Sequence, residues 1–232
     1  MKYRNDRRKE NIMSKYNFYA YKIGEEKGIV TTWTECQQKI NGQSSANYKG
    51  FKTRKEAEQF LSSAYVEAKA VDYSKFETIV HTDGGTRKLD SLAEVDANTV
   101  CGYAYLVENK NNDIRILKGK AEKGKTNNMM EITAVRDALK ELLKQNLNTS
   151  KILFVCDSKY ALSASDKSWF REKRWTENAE MWEEIGKLLQ SNDWNITWAW
   201  TKGHDGEEGN EIVDRELNRE MNKLEAQERP VR

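Results

Sequence analysis

The sequence predicts an α/β protein. A mixed five-stranded sheet, three antiparallel strands and then two parallel ones, carries flanking helices and follows a small ββαβα module. Three observations support this. Strictly alternating and helically spaced hydrophobic stretches succeed one another along the chain. After residue 75 they run strand, strand, strand, helix, strand, helices, strand, helix, the order of a sheet covered by helices on its faces. The composition, 38% hydrophobic and 33% charged over 232 residues, furnishes both a core and a solvated surface.

The same composition excludes several classes. A single proline and three cysteines rule out proline-rich, collagen-like and disulfide-scaffold proteins. No run approaches the roughly 20 apolar residues of a membrane span, so no membrane partner is expected. Cys36, Cys101 and Cys156 are odd in number and form no C-x-x-C pair, which suits a reducing, cytoplasmic location. Residues 1–14 are polar and basic, without an apolar signal-peptide core, and read as a disordered lead.

The first module occupies residues 15–62. Tyr16 to Ile23 and Gly28 to Trp33 are rich in aromatic and β-branched residues and flank a turn at 24–27, the pattern of a hairpin. A short helix over Thr34 to Ile40, a Gly/Ser/Asn loop and a brief strand, Tyr48 to Phe51, follow. Thr53-Arg54-Lys55-Glu56 is a capping box, in which hydroxyl and carboxylate satisfy each other's backbone donors at a helix start. Ala57, Phe60, Leu61, Ala64, Tyr65 and Ala68 then keep helical spacing, so the helix is expected to run on into a linker over 63–75.

The second unit spans 76–226, with a short tail at 227–232. Phe76 to Thr86, Thr99 to Glu108 and Asp113 to Ala121 read as an antiparallel meander. Asn128 to Gln145 carries Val135, Ala138, Leu139, Leu142 and Leu143 on one helical side. Lys151 to Asp157 is a short apolar run fit for a buried parallel strand. A helix over Glu177 to Gln190, a strand in which Trp194, Ile196, Trp198 and Trp200 alternate, and a last helix over Asn210 to Leu224 complete the unit.

Charge separates the halves. Residues 1–75 hold 15 basic and 9 acidic side chains, net +6; the remainder holds 24 and 28, net −4. A basic module suits a polyanion and an acidic one suits divalent cations.

Four acids stand out in the second unit. Asp83 lies in Thr82-Asp83-Gly84-Gly85, where glycines permit close backbone approach; Asp157 ends the apolar run Ile152 to Cys156; Glu131 and Asp214 each lie near a helix start. Taken singly, each reads as a solvated or helix-terminal charge. If the first and fourth strands are neighbours, Asp83 and Asp157 emerge side by side, and the two helices close the ring.

Together the motifs D-G-G at 83–85, T-N-N-x-M-E at 126–131, C-D-S-K-Y at 156–160, G-H-x-G at 203–206 and N-E-x-x-D at 210–214 resemble type 1 ribonuclease H, over about residues 76–224. The resemblance implies that Asp83, Glu131, Asp157 and Asp214 bind metal. It implies further that His204 assists proton movement and product release, and that Thr126, Asn127 and Asn128 hold the minor groove of an RNA/DNA hybrid. Physics agrees with a metal site, because four carboxylates in one cleft repel until cations neutralise them. Hard oxygen ligands favour Mg2+, with Mn2+ as substitute, and His81 and His204 are the chain's two histidines, too few for a zinc cluster.

The first module is similar to the hybrid-binding, viroplasmin-like domain over residues 16–62. The similarity lies in Phe18-Tyr19-Ala20-Tyr21, Gly28 to Trp33, Tyr48-Lys49-Gly50-Phe51 and Glu56-Ala57. It implies that Tyr19, Trp33, Tyr48 and Lys49 grip the hybrid, with double-stranded RNA as a further ligand; Gly50 stands where relatives commonly place a second basic residue. The expectation is a monomeric, two-metal endonuclease that cuts the RNA strand of hybrids. The competing readings are a non-catalytic hybrid or double-stranded RNA binder, and an integrase- or resolvase-like enzyme of the same fold.

Overall fold

The computed structural model describes residues 16–23, 26–43, 46–62, 65–87, 95–203 and 206–227. The chain divides into two compact units between residues 63 and 64.

In the first unit, β1 (Phe18–Ile23), β2 (Glu26–Val30) and β3 (Asn47–Phe51) form an antiparallel sheet in the order β2-β1-β3. The second strand stops at Val30. Thr32 accepts from the Glu35 backbone N–H while the Glu35 carboxylate accepts from the Thr32 N–H, so α1 (Trp33–Ile40) begins earlier than sequence spacing suggests. Tyr19, Tyr21 and Cys36 form the core between sheet and α1. The expected capping box at Thr53 and Glu56 opens α2 (Arg54–Ser62).

The expected continuation of α2 through Tyr65 and Ala68 is corrected by the structure. Tyr65–Glu67 is a strand, β4, paired in parallel with the last strand of the second unit, Tyr65 opposite Trp198 and Glu67 opposite Trp200. Sheet hydrogen bonds outweigh helical spacing here, and Tyr65 packs on the main core while Val66 joins the Ala68–Phe76 cluster. The linker expected over 63–75 is therefore, from Tyr65 on, part of the second unit, with 3-10 turns at Ala68–Ala70 and Tyr73–Lys75.

The remaining strands are β5 (Thr78–Thr86), β6 (Val100–Asn109), β7 (Ile114–Lys123), β8 (Ile152–Cys156) and β9 (Ile196–Trp200). The sheet has six strands, in the order β4-β9-β8-β5-β6-β7, rather than the five expected. β5, β6 and β7 are the antiparallel meander; β8 joins β5 in parallel and β9 joins β8 in parallel. α3 (Asn127–Lys144) buries Ile132, Val135, Leu139 and Leu142 against one face, beside α5 (Ala179–Gln190) and its buried Trp182. α4 (Lys167–Arg171) is a five-residue helix, too short to show a hydrophobic period in the sequence. α6 (Glu208–Gln227) covers part of the other face through Val213, Leu217 and Met221. Among the described residues no helix is long and apolar enough to cross a membrane.

Candidate active site

β5 sits between β6 and β8, and Thr82 pairs with Cys156 at the last rung of the parallel ladder. Asp83, still within β5, and Asp157, just past the end of β8, each one residue beyond that rung, are therefore side by side. Gly84 brings the third acid in: a Cβ there would run into the backbone of Met130 and Glu131, so the first turn of α3 can lie directly on β5 only because the side chain is missing. Asp83, Glu131 and Asp157 each offer an oxygen, all within 4.8 Å of one another.

The trio is mutually repulsive, with Asp83 and Glu131 buried and Asp157 half-buried. Asp83 is 9% exposed and Glu131 7%. Burial above all, then the charges of Asp157 and Asp214, raise the Asp83 pKa to about 7, opposed by the Gly84 N–H, which donates to its Oδ1 at 2.7 Å. Burial, then Asp83 and Asp157, push Glu131 well above the usual carboxylate range. Glu131 Oε2 is buried with no hydrogen-bond partner among the described residues. A hard divalent cation fits these observations: it would meet the orphaned oxygen and replace the protons that the cluster otherwise demands.

Asp214 stands one turn or so into α6 and shares a cavity of about 270 Å3 with Asp83, Asp157, Asn127, Asn210 and Arg87. Asp83, Glu131 and Asp157 thus lie within 4.8 Å of one another, and Asp214 lines the same cavity as Asp83 and Asp157. A larger cavity, about 710 Å3, lies beside Phe170, Trp194 and Trp198, and Asp193 is its one acidic lining residue. It lacks the clustered carboxylates of the smaller cavity.

Of the expected groove-holding residues, Thr126 caps its own helix, its hydroxyl accepting from the Met129 N–H at 3.2 Å while keeping its O–H to donate. Asn127 and Asn128 remain exposed on the first turn of α3, and Asn127 lines the cavity. His204 lies outside the described residues, as do the lead at 1–14, most of the loop after Thr86 and nearly all of the tail. Its neighbour Gly203 passes close to the site, since a Cβ there would come within 2.8 Å of Asp157 Oδ2.

Several side chains that support the site were not singled out from sequence. Trp200 Nε1 donates to the Asp157 carbonyl at 2.9 Å, and Lys159 Nζ lies 5.1 Å from the centre of the Trp200 ring. At the start of α6, Glu207 accepts from the Asn210 N–H at 2.7 Å and from the Tyr73 hydroxyl at 3.2 Å, and lies 3.0 Å from His81 Nε2. The His81 ring rests on Gly209, where any side chain would strike it. Asn218 and Arg87 complete the set. Asn210 and Lys159 lie inside quoted motifs and Trp200 on the alternating strand; Glu207, Tyr73, Asn218 and Arg87 carry no such signal until the fold brings them together.

In the first unit Trp33 and Tyr48 are exposed, at 41% and 46%, and their rings lie 5.6 Å apart; Tyr19, buried, lies 5.7 Å from Trp33. These three form one aromatic patch. Lys49 does not join it. Tyr21 pairs with Tyr48 and Ala20 with Lys49, so strand alternation turns Lys49 to the opposite face of the sheet. Gly50, back on the patch face, is covered by Tyr16, whose ring a Cβ would strike.

The family model described as RNase H matches residues 75–222. The chain belongs to the ribonuclease H family. A second model, the ribonuclease H1 N-terminal domain, matches residues 17–61, so this is a type 1 ribonuclease H with an N-terminal domain. Relatives include the ribonuclease H of Ruthia magnifica subsp. Calyptogena magnifica, 32% identical over 156 residues, which cover 63% of this chain and 96% of that one. That of Hydrogenovibrio crunogenus is 35% identical over 117 residues, 47% and 76% of the two chains. Among solved structures, LC9-RNase H1, a type 1 RNase H with the type 2 active-site motif, is 20% identical with a TM-score of 0.52, covering 66% of this chain and 75% of that one. The prototype foamy virus protease–reverse transcriptase is 21% identical with a TM-score of 0.52, covering 68% of this chain and 22% of that one. The structural likenesses bear on the fold alone.

Proposed function

We propose that this ribonuclease H hydrolyses the RNA strand of RNA/DNA hybrids at a two-cation site formed by Asp83, Glu131, Asp157 and Asp214, leaving 5′-phosphate and 3′-hydroxyl ends. The observation that carries the reading is the convergence of three acids within 4.8 Å, with Asp214 on the wall of the same cavity. Two Mg2+ ions, or Mn2+ in their place, would when bound supply an activated water and a stabilised leaving 3′ oxygen. The chain's own part is to hold the oxygens in place before any ion arrives. Asp83 couples electrostatically to Asp157 and Asp214, and Glu131 to Asp83 and Asp157, so Asp83 is the acid common to both ends of the cluster. Water adds across the P–O3′ bond: its oxygen joins phosphorus, the O3′ leaves, and one water proton ends on that oxygen. Asn127 and Asn128, exposed beside Glu131, can donate to and accept from a 2′-hydroxyl, the group that tells RNA from DNA. His204 is assigned to proton movement and product release through its G-H-x-G motif.

Tyr19, Trp33 and Tyr48 are assigned to hybrid binding, the two exposed rings offering faces on which a sugar or base can stack. Double-stranded RNA is the competing ligand for that patch. A cytoplasmic location suits Cys36, Cys101 and Cys156, all buried as free thiols.

The test incubates labelled RNA/DNA hybrid, duplex RNA and duplex DNA with the protein and Mg2+. Cleavage of the RNA strand of the hybrid alone is expected. Binding without cleavage would favour the non-catalytic reading, and cleavage of duplex DNA would favour a DNA-processing enzyme of this fold.

A further inference from the structure

We propose that Asn218 and Arg87 are positioning residues for Asp214, fixing the reach of the fourth carboxylate into the cavity and thereby the affinity of the site for divalent cations. The inference rests on the metal-site reading above and adds to it two residues that none of the family motifs contains.

Asp214 is the member of the quartet that most needs holding. Asp83, Glu131 and Asp157 are brought together by two adjacent strands and a helix start lying on one of them, whereas Asp214 comes from α6 on the cavity wall. It also faces a like charge, since Asp214 is one of the groups that repel Asp83. Left to itself, a carboxylate in that position lowers its energy by rotating away from the cluster.

Asn218 opposes this. One turn further along α6, its Nδ2 donates both to the Asp214 carbonyl, at 2.9 Å, and to the Asp214 carboxylate Oδ1, at 3.1 Å. A single amide nitrogen gripping both the backbone and the side chain of Asp214 selects one arrangement of that carboxylate relative to its helix and leaves its second oxygen for a ligand. Asparagine is a poor residue for a helix interior. At this half-buried place the loss is offset by a hydrogen bond to a charged group.

Arg87 fixes the helix itself. It follows β5 directly, four residues beyond Asp83, and its backbone N–H donates to the Val100 carbonyl at 2.8 Å, so its backbone is an extension of the sheet. Its guanidinium donates to three successive turns of α6: Nη2 to the Asn218 carbonyl at 3.3 Å and to Asn222 Oδ1 at 2.7 Å, and Nη1 to Glu225 Oε2 at 2.6 Å. Although Arg87 lines the cavity, all its side-chain hydrogen bonds among the described residues go to α6, which marks it as a strut rather than a grip on substrate phosphate. The strand bearing Asp83 and the helix bearing Asp214 are thus cross-tied, and Leu217, packed on Gly85 and Gly102, sets the close spacing that the tie spans.

The experiment titrates Mg2+ into the full chain by calorimetry and follows hybrid cleavage against Mg2+ concentration, for wild type, Asn218→Ala, Arg87→Lys, Asn222→Ala and Asp83→Asn. Removing a group that orients a metal ligand costs on the order of tenfold in metal affinity. Asn218→Ala is expected to lose about that much, with KM for the hybrid at saturating Mg2+ unchanged. Arg87→Lys and Asn222→Ala are expected to show smaller losses in the same direction. Wild-type Mg2+ affinity in folded Asn218→Ala and Arg87→Lys, with binding lost in Asp83→Asn, would overturn the positioning roles and leave the metal site standing. Unchanged Mg2+ binding in Asp83→Asn as well would remove the metal-site reading itself. If Asn218→Ala fails to fold, Asn218→Ser, which keeps a small polar side chain but removes the amide that reaches Asp214 Oδ1, decides the role of Asn218 by the same measurement, and Asn222→Ala decides that of Arg87.

Discussion

Replacing Asp83 by asparagine should make the metal-free protein more stable while destroying its chemistry. The Asp83 carboxyl is raised from its ordinary 3.8 to about 7, chiefly by burial and then by Asp157 and Asp214. A carboxyl whose folded-state pKa is raised binds its proton more tightly in the folded chain. The resulting stability is present at low pH and is lost as pH climbs from 3.8 through about 7. Each pH unit of that difference is worth about 1.4 kcal/mol, so the ionised group costs the folded state roughly 4 kcal/mol above pH 7. Asparagine removes the charge and keeps an oxygen for the Gly84 N–H, but it still buries a polar amide. About half the penalty, ~2 kcal/mol, should be recovered. For a chain of this size that corresponds to a rise in Tm of about 4 to 8 °C. The assay is thermal unfolding in chelator at pH 8.5 and at pH 4. The variant should melt higher at pH 8.5 and near wild type at pH 4, and added Mg2+ should narrow the gap by stabilising the wild type. A variant no more stable than wild type at pH 8.5, or equally favoured at pH 4, would refute the electrostatic reasoning.

Other outcomes follow from particular contacts. Gly84→Ala should drive Glu131 off β5, lowering cleavage by at least about a hundredfold and stability by ~1–3 kcal/mol, measured by single-turnover cleavage and urea unfolding. Trp33→Ala should weaken hybrid binding by about tenfold, the value of one stacked ring, with kcat kept and Tm little changed because the ring is exposed; equal affinity in a filter-binding assay would argue against the patch. Removing residues 1–63 should reduce hybrid affinity and processivity while leaving single-turnover chemistry intact. A cut at residue 70 should also destabilise the catalytic unit, because it takes β4 away from β9, and comparing the two truncations by thermal unfolding checks this.

The legible parts of this protein were those with local or periodic causes. The meander, the buried strand before Asp157 and the long helices follow from hydrophobic spacing, and the four acids could be found because each lies in a short motif. The illegible parts depend on partners distant in the chain. Tyr65-Val66-Glu67 reads as helix by spacing and becomes a strand because β9 offers an open edge more than 130 residues later. Strand alternation separates Lys49 from Tyr48, and pairing with β1 decides which of the two shares a face with Tyr19 and Tyr21. Asn218 and Arg87 have no signature at all, since an asparagine in a helix and an arginine after a strand acquire meaning only when the fold brings together residues 131 positions apart.

The acidic cluster should take up a pair of divalent ions. Electron paramagnetic resonance of Mn2+ titrated into the full chain, alone and with hybrid, counts them directly. Two bound Mn2+ per chain with hybrid, falling below one in Asp83→Asn, is the predicted result; the same count in both proteins would contradict it.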